Sequence, residues 1–232
     1  MKVLVVLCHP RPDSLTGKVA GAFSAGANSA GHKIEFVDLY RENFNPVLEV
    51  KDEPNDGDIT NYSNEVQREF NRLNNNDAVA MIFPLWWWAM PAMLKGWVDR
   101  VWNFGLTYGD ANHNLKKALM ISLAAHTTEE LKKRNYHDAI ETSLNIGILD
   151  YNKIINRELV ILGGTTLGED HCAKHIDFAS IRAIAPNLMN SRVTRSEFRN
   201  KTDYDISKAF RAIQICGEMF HSISRNANEE LL

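Results

Sequence analysis

Cysteine is scarce in this 232-residue chain. Cys8, Cys172 and Cys216 lie far apart, which excludes a disulfide framework or a paired zinc site and suits a reducing compartment. Positive charge is short as well: 26 Lys and Arg face 29 Asp and Glu, for a net charge of -3. With no basic excess to neutralise a run of phosphates, nucleic acid and anionic membrane surfaces are set aside, and small-molecule partners are expected. No apolar run reaches the ~20 residues of a membrane-spanning helix. The nearest, residues 78–94, is interrupted by Pro84 and Pro91 and closed by Lys95, so no membrane insertion is expected. Met1 and Lys2 lead into a short apolar run that ends at Cys8-His9-Pro10 without a small-residue cleavage site, and a cytoplasmic protein is read. Nucleotide fingerprints are missing too. There is no GxGxxG, and Gly17-Lys18 is followed by Val19 rather than Ser or Thr, which disfavours a dinucleotide fingerprint site and a P-loop.

What is present is ordinary folded composition, 44% hydrophobic and 24% charged, in alternating periods. Residues 2–9 (KVLVVLCH), 33–40 (KIEFVDLY), 77–85, 117–125 (KALMISLAA) and 158–162 (ELVIL) read as strands. Between and after them, residues 14–30, 64–73, 91–102, 129–144 and 206–220 show helical spacing, and residues 49–64 form a polar excursion. Strands apolar on both faces and separated by helices predict a parallel sheet covered on each side. Five of them fit a flavodoxin-like, doubly wound α/β sheet of order 2-1-3-4-5. One domain over residues 1–232 is expected, with an irregular region from about 151.

In such a sheet ligands bind beyond the carboxyl ends of the strands, at the switch point between strands one and three. Three loops meet there. The first, HPRPDSLT (residues 9–16), enters a helix whose early amides, with the Ser14 and Thr16 hydroxyls, make an anion seat. The second, PLWWWAMP (residues 84–91), carries three of the five tryptophans, all of which lie between 86 and 102. Successive indoles cannot all enter one core, so part of the trio must line a cleft or an interface. The third is Ala124-Ala125-His126.

Residues 84–109, PLWWWAMPAMLKGWVDRVWNFGLTYG, resemble the NAD(P)H:quinone oxidoreductase (DT-diaphorase) family of flavodoxin-like flavoproteins, with its P-L-x-W, P-A-x-L-K-G-W and acidic-Arg-Val steps before a Tyr. The first loop and the FNP at 44–46 fit the same family, and the similarity covers about residues 2–123. The resemblance implies that His9, Ser14, Leu15 and Thr16 hold flavin phosphates, and that Pro84, Leu85, Trp86, Trp87 and Trp88 back the ring system. Ala124, Ala125 and His126 complete the cofactor site where the relatives carry Thr-Thr-Gly-Gly. Tyr108 is implied at the substrate pocket. The relatives' charge-stabilising Tyr-His pair falls on Leu131 and His137, so the Tyr is missing, with Tyr136 or His126 as substitutes. FAD rather than FMN is implied by the His-initiated first loop, with NAD(P)H as co-substrate, a quinone-like acceptor and a homodimer as the working unit.

Other signals are read more plainly. His171 and His175 stand one helical turn apart with Cys172 between them; without HExxH they are expected to be surface histidines, and no metal is assigned. Cys8, at the end of a buried strand, is read as a small hydrophobe rather than a nucleophile. The expected activity is two-electron, ping-pong reduction of quinone-like acceptors. The alternative is a flavin-binding ancillary subunit of a membrane transport system.

Overall fold

Five strands, β1 (Lys2–Leu7), β2 (Lys33–Asp38), β3 (Ala78–Pro84), β4 (Lys117–Leu123) and β5 (Asn156–Leu162), pair in parallel in the order β2-β1-β3-β4-β5. The expected flavodoxin-like order is therefore observed. The structure is a computed structural model that describes residues 1–53, 56–110 and 113–184. The expected helix at 206–220 lies outside the described residues.

Alternation along β1 sorts side chains to the two faces. Val3, Val5 and Leu7 join Val19, Phe23 and Ala27 of α1 (Leu15–Ser29) and Ala179 and Ala183 of α6 (Glu169–Ile184). Leu4, Val6 and Cys8 join Leu73 of α2 (Asn64–Asn74), Leu94 and Trp97 of α3 (Ala92–Val101), and Ile140. Both faces are thus covered, as strands without a polar face require. Trp97 and Trp102 are buried and meet edge-to-face at 6.1 Å, so two of the five indoles are core.

Two glycines mark close approaches. A Cβ on Gly26 would stand 2.4 Å from the Ser180 carbonyl oxygen, which fixes how near α1 comes to α6, and one on Gly96 would stand 2.1 Å from that of Pro46. The glycine of the K-G-W step therefore seats the F-N-P segment against α3.

The expected single helix over 129–144 is instead broken. α4 (Thr128–Lys133) stops at Arg134, Asn135 turns left-handed at φ 59°, α5 (Tyr136–Ile140) follows, and Glu141–Asp150 continues as a π-helix. The region beyond 151 is more regular than expected, since α6 occupies residues that lack a clear apolar period but present Ala179 and Ala183 to the sheet.

Candidate functional site

The first loop leaves β1 at Cys8. The His9 ring is nearly buried, with Nδ1 accepting from the Arg11 amide at 3.0 Å and lying 3.2 Å from the Arg11 carbonyl. The shorter contact makes Nδ1 the acceptor and puts the ring proton on Nε2. Burial, ahead of the Arg11 contacts, pushes the His9 pKa below its ordinary value, which favours that neutral ring. The Ser14 hydroxyl caps α1 by accepting from the Gly17 amide at 3.1 Å. The amides of Leu15 and Thr16, like the first amides of any helix, have no intrahelical acceptor. Arg41 donates to the Pro10 carbonyl at 3.1 Å and pins the loop to the end of β2.

The second loop is a closed two-residue turn. The Trp86 amide donates to the Ala89 carbonyl and the Ala89 amide to the Trp86 carbonyl, both at 3.1 Å, while Trp87 and Trp88 stand at φ 51° and 62°. Positive φ at both central positions defines a type I′ turn, a conformation that Asn-Gly adopts readily and two tryptophans do not. Each such residue stores about 1–3 kcal/mol of strain, of the kind found where function over-determines the backbone. The turn splits the indoles: Trp86 is 42% exposed and 6.0 Å from the His9 ring, Trp87 is 92% exposed, and Trp88 packs on the core. The Leu85 amide is taken by the Leu123 carbonyl at 2.7 Å. The Trp87 and Trp88 amides at the tip of the turn make no backbone hydrogen bond among the described residues.

The third loop is held from β5: Ala124 N donates to the Leu162 carbonyl, Thr165 N to the Ala124 carbonyl, and Gly164 N to the His126 carbonyl, all within 3.0 Å. Thr127 and Glu130 form a capping box that starts α4. Leu85, Trp86, Trp87, Trp88, Ala124, Ala125 and His126 together line one open pocket of about 490 Å³. Seven residues expected at the cofactor from the second and third loops therefore share one cleft, and His9 touches its wall through Trp86.

The remaining candidates sit elsewhere. Tyr108 packs between Phe104 (5.9 Å) and Tyr151 (5.5 Å), and burial, then Tyr151, raises its pKa. The His137 Nδ1 pairs with Asp138 at 3.3 Å. Leu131 is fully buried. The ring that reaches the pocket wall is that of Tyr136. His171 and His175, expected as surface histidines, are half-buried and buried respectively, and both place Nε2 3.0 Å from the Gly163 carbonyl, which can only accept. Two protonated Nε2 atoms thus clamp the β5 terminus beneath the third loop. Burial pushes the Cys8 thiol up to about 12, the behaviour of a small hydrophobe.

Sequence reasoning missed a buried polar network that ties α3 to the polar excursion after β2. Asp52, in the polar excursion, accepts from Arg100 Nη2 at 2.7 Å and from the Ser63 amide at 2.7 Å, while Arg100 also pairs with Glu65 and lies over the Phe44 ring. The Arg of the acidic-Arg-Val step was its only trace.

A doubly wound parallel sheet whose first helix start and aromatic loop meet at the β1/β3 switch point defines an α/β protein of the flavodoxin-like class. The chain belongs to the family described by its flavodoxin-like fold, which it matches over residues 1–183. It is 36% identical over 174 residues to an uncharacterized NAD(P)H oxidoreductase of Escherichia coli (strain K12), covering 72% of this chain and 88% of that one. It is also similar to the solved NAD(P)H:quinone oxidoreductase from Methanothermobacter marburgensis, with a TM-score of 0.70, 32% identity, and coverage of 83% of this chain and 98% of that one. A solved FMN-dependent NADH-azoreductase from Bacillus anthracis, in complex with FMN, shares the fold at TM-score 0.56 and 16% identity, covering 82% of this chain and 99% of that one. The resemblance read from residues 84–109 is borne out by these relatives.

Proposed function

We propose that this protein is a flavin-dependent NAD(P)H oxidoreductase that reduces quinone-like acceptors by two-electron hydride transfer. The observation that carries the reading is the strained Trp87-Trp88 turn standing beside the His9–Thr16 anion seat at the switch point of the sheet. The residues fit a flavin: the phosphate end offers hydrogen-bond donors (His9 Nε2, the Ser14 and Thr16 hydroxyls, the Leu15 and Thr16 amides), and the other end is an apolar indole wall with unengaged turn amides. A bound flavin supplies the hydride chemistry. The chain supplies position and electrostatics. Its helix-start amides would hold negative phosphate, Trp86 and Trp88 would wall the ring system, and the Trp87, Trp88, Ala125 and His126 amides would offer it hydrogen-bond donors. Reductant and acceptor use the one pocket in turn, a ping-pong order.

FAD is the proposed form, with Tyr108 and His137 acting at the acceptor side, in a cytoplasmic homodimer whose tryptophan loop lies near the interface; these assignments rest on the family resemblance. No observation on the site favours the transport-subunit reading. The test is the purified protein: it should be yellow, release FAD on denaturation, and oxidise NADH or NADPH with menadione as acceptor. A colourless protein that takes up no flavin and shows no such turnover contradicts the proposal. Light scattering that finds a fully active dilute monomer contradicts the dimer alone.

A further inference from the structure

We infer that Tyr136 is a positioning residue for the flavin pocket, acting through Trp88; this rests on the flavin reading above. The Trp88 ring is held on two sides. Tyr136 stacks on it with ring centroids 4.2 Å apart and planes 14° from parallel, and His126 meets it edge-on at 5.1 Å. The stack is built from two left-handed backbones. Trp88 stands at φ 62°, and Asn135, immediately before Tyr136, at φ 59°. Asn135 is where the helical path breaks, and the break turns Tyr136 onto the indole. Buried Leu131 before it and Ile140 after it anchor the two short helices to the molecule, so the position of the tyrosine ring is set by the core.

A type I′ turn with tryptophan at both central positions has no local reason to persist. Its own hydrogen bonds, Trp86 to Ala89, would equally close a turn with other residues. Here the second indole is wedged between a ring from α5, which lies behind it, and the His126 ring of the third loop, which lines the same pocket as Trp88. The clamp therefore sets three features together: the plane of the pocket wall, the direction of the Trp87 and Trp88 amides, and the distance between the second and third loops. The role needs a flat apolar ring and not a hydroxyl, because the contact is face to face. Tyr136 acts on the pocket's shape and takes no part in proton transfer.

The test is FAD affinity of the full chain by titration of the apoprotein, with KM and kcat per bound flavin, for wild type, Tyr136→Phe, Tyr136→Leu and Tyr136→Ala. Near-UV circular dichroism of each apoprotein reports the Trp88 environment without flavin. Phe should leave FAD binding and the aromatic spectrum within twofold of wild type. Leu and Ala should weaken FAD binding about tenfold or more and alter the aromatic band, while kcat per bound flavin stays within threefold. Leu preserves bulk, so it carries the test should Ala fail to fold. Unchanged FAD affinity in a folded Leu or Ala variant overturns the inference, as does a Phe variant that loses kcat at full flavin occupancy, since that would assign the hydroxyl a chemical role. A wild-type apoprotein that takes up no flavin overturns the flavin reading itself and this inference with it.

Discussion

The Arg100 guanidinium donates to the Asp52 carboxylate at 2.7 Å with both side chains buried, joining α3 to the polar excursion that follows β2. Burial disfavours the charged carboxylate, but the bonds from Ser63 and Arg100 outweigh it and hold the Asp52 pKa below the usual carboxylate value. Removing one partner of a buried pair strands the other. Arg100→Ala should therefore cost about 3–5 kcal/mol in urea unfolding. A loss under about 1 kcal/mol would mean the pair is not coupled to the fold.

Because the folded-state pKa of Asp52 lies below its unfolded value, the pair's contribution is complete above about pH 4 and is lost as pH falls through the lowered value. Histidine contributes at higher pH. Burial pushes His9 and His175 below the ordinary value near 6.5, so protons favour the unfolded chain, and stability should be full above about pH 6.5 and decline as pH drops through the lowered values. His175→Gln retains a donor to the Gly163 carbonyl and removes one titration. Its unfolding free energy should fall less steeply than wild type between pH 6.5 and 5; an identical slope would show that His175 does not carry the effect.

Trp87 combines a φ of 51° with 92% exposure, so it carries strain with little burial to offset it. Glycine adopts that backbone freely. Trp87→Gly should raise unfolding stability by about 1 kcal/mol while weakening flavin retention or turnover, and equal stability with unchanged cofactor binding would make the residue incidental.

Cys8 should be inert. With its thiol raised to about 12 and fully buried, it has almost no thiolate at pH 8. Iodoacetamide on the native protein should alkylate the half-buried Cys172 well before Cys8, as read by peptide mass spectrometry. Early modification of Cys8 would show that the first strand opens.

Much of the fold was legible because burial on both faces writes strands as apolar runs: Val3 to Leu7 and Ala78 to Phe83 are read from composition alone. The three loops followed from topology, and the pocket joins two of them directly. The strain at Trp87 and Trp88 was not legible, since left-handed turns announce themselves through Gly and Asn, and this one is imposed by the packing around Trp88. Helix α6 was hidden because its buried side mixes the small Ala179 and Ala183 with the polar His175, Ser180 and Arg182, which leaves no apolar period to read. The break at Asn135 was hidden because residues 129–144 keep enough apolar residues to read as one helix. Asp52 was lost in a polar stretch: a buried carboxylate is identified by its partner, and Arg100 lies 48 positions away.

The most direct test of the central claim is the reductive half-reaction. Anaerobic stopped-flow mixing of the yellow protein with NADH or NADPH, without acceptor, should bleach the flavin colour in one two-electron step at one equivalent per subunit, and later addition of menadione should restore it. Reduction that requires menadione to be present from the start would contradict the ping-pong order, and a bound flavin that neither nicotinamide reduces would contradict the oxidoreductase reading itself.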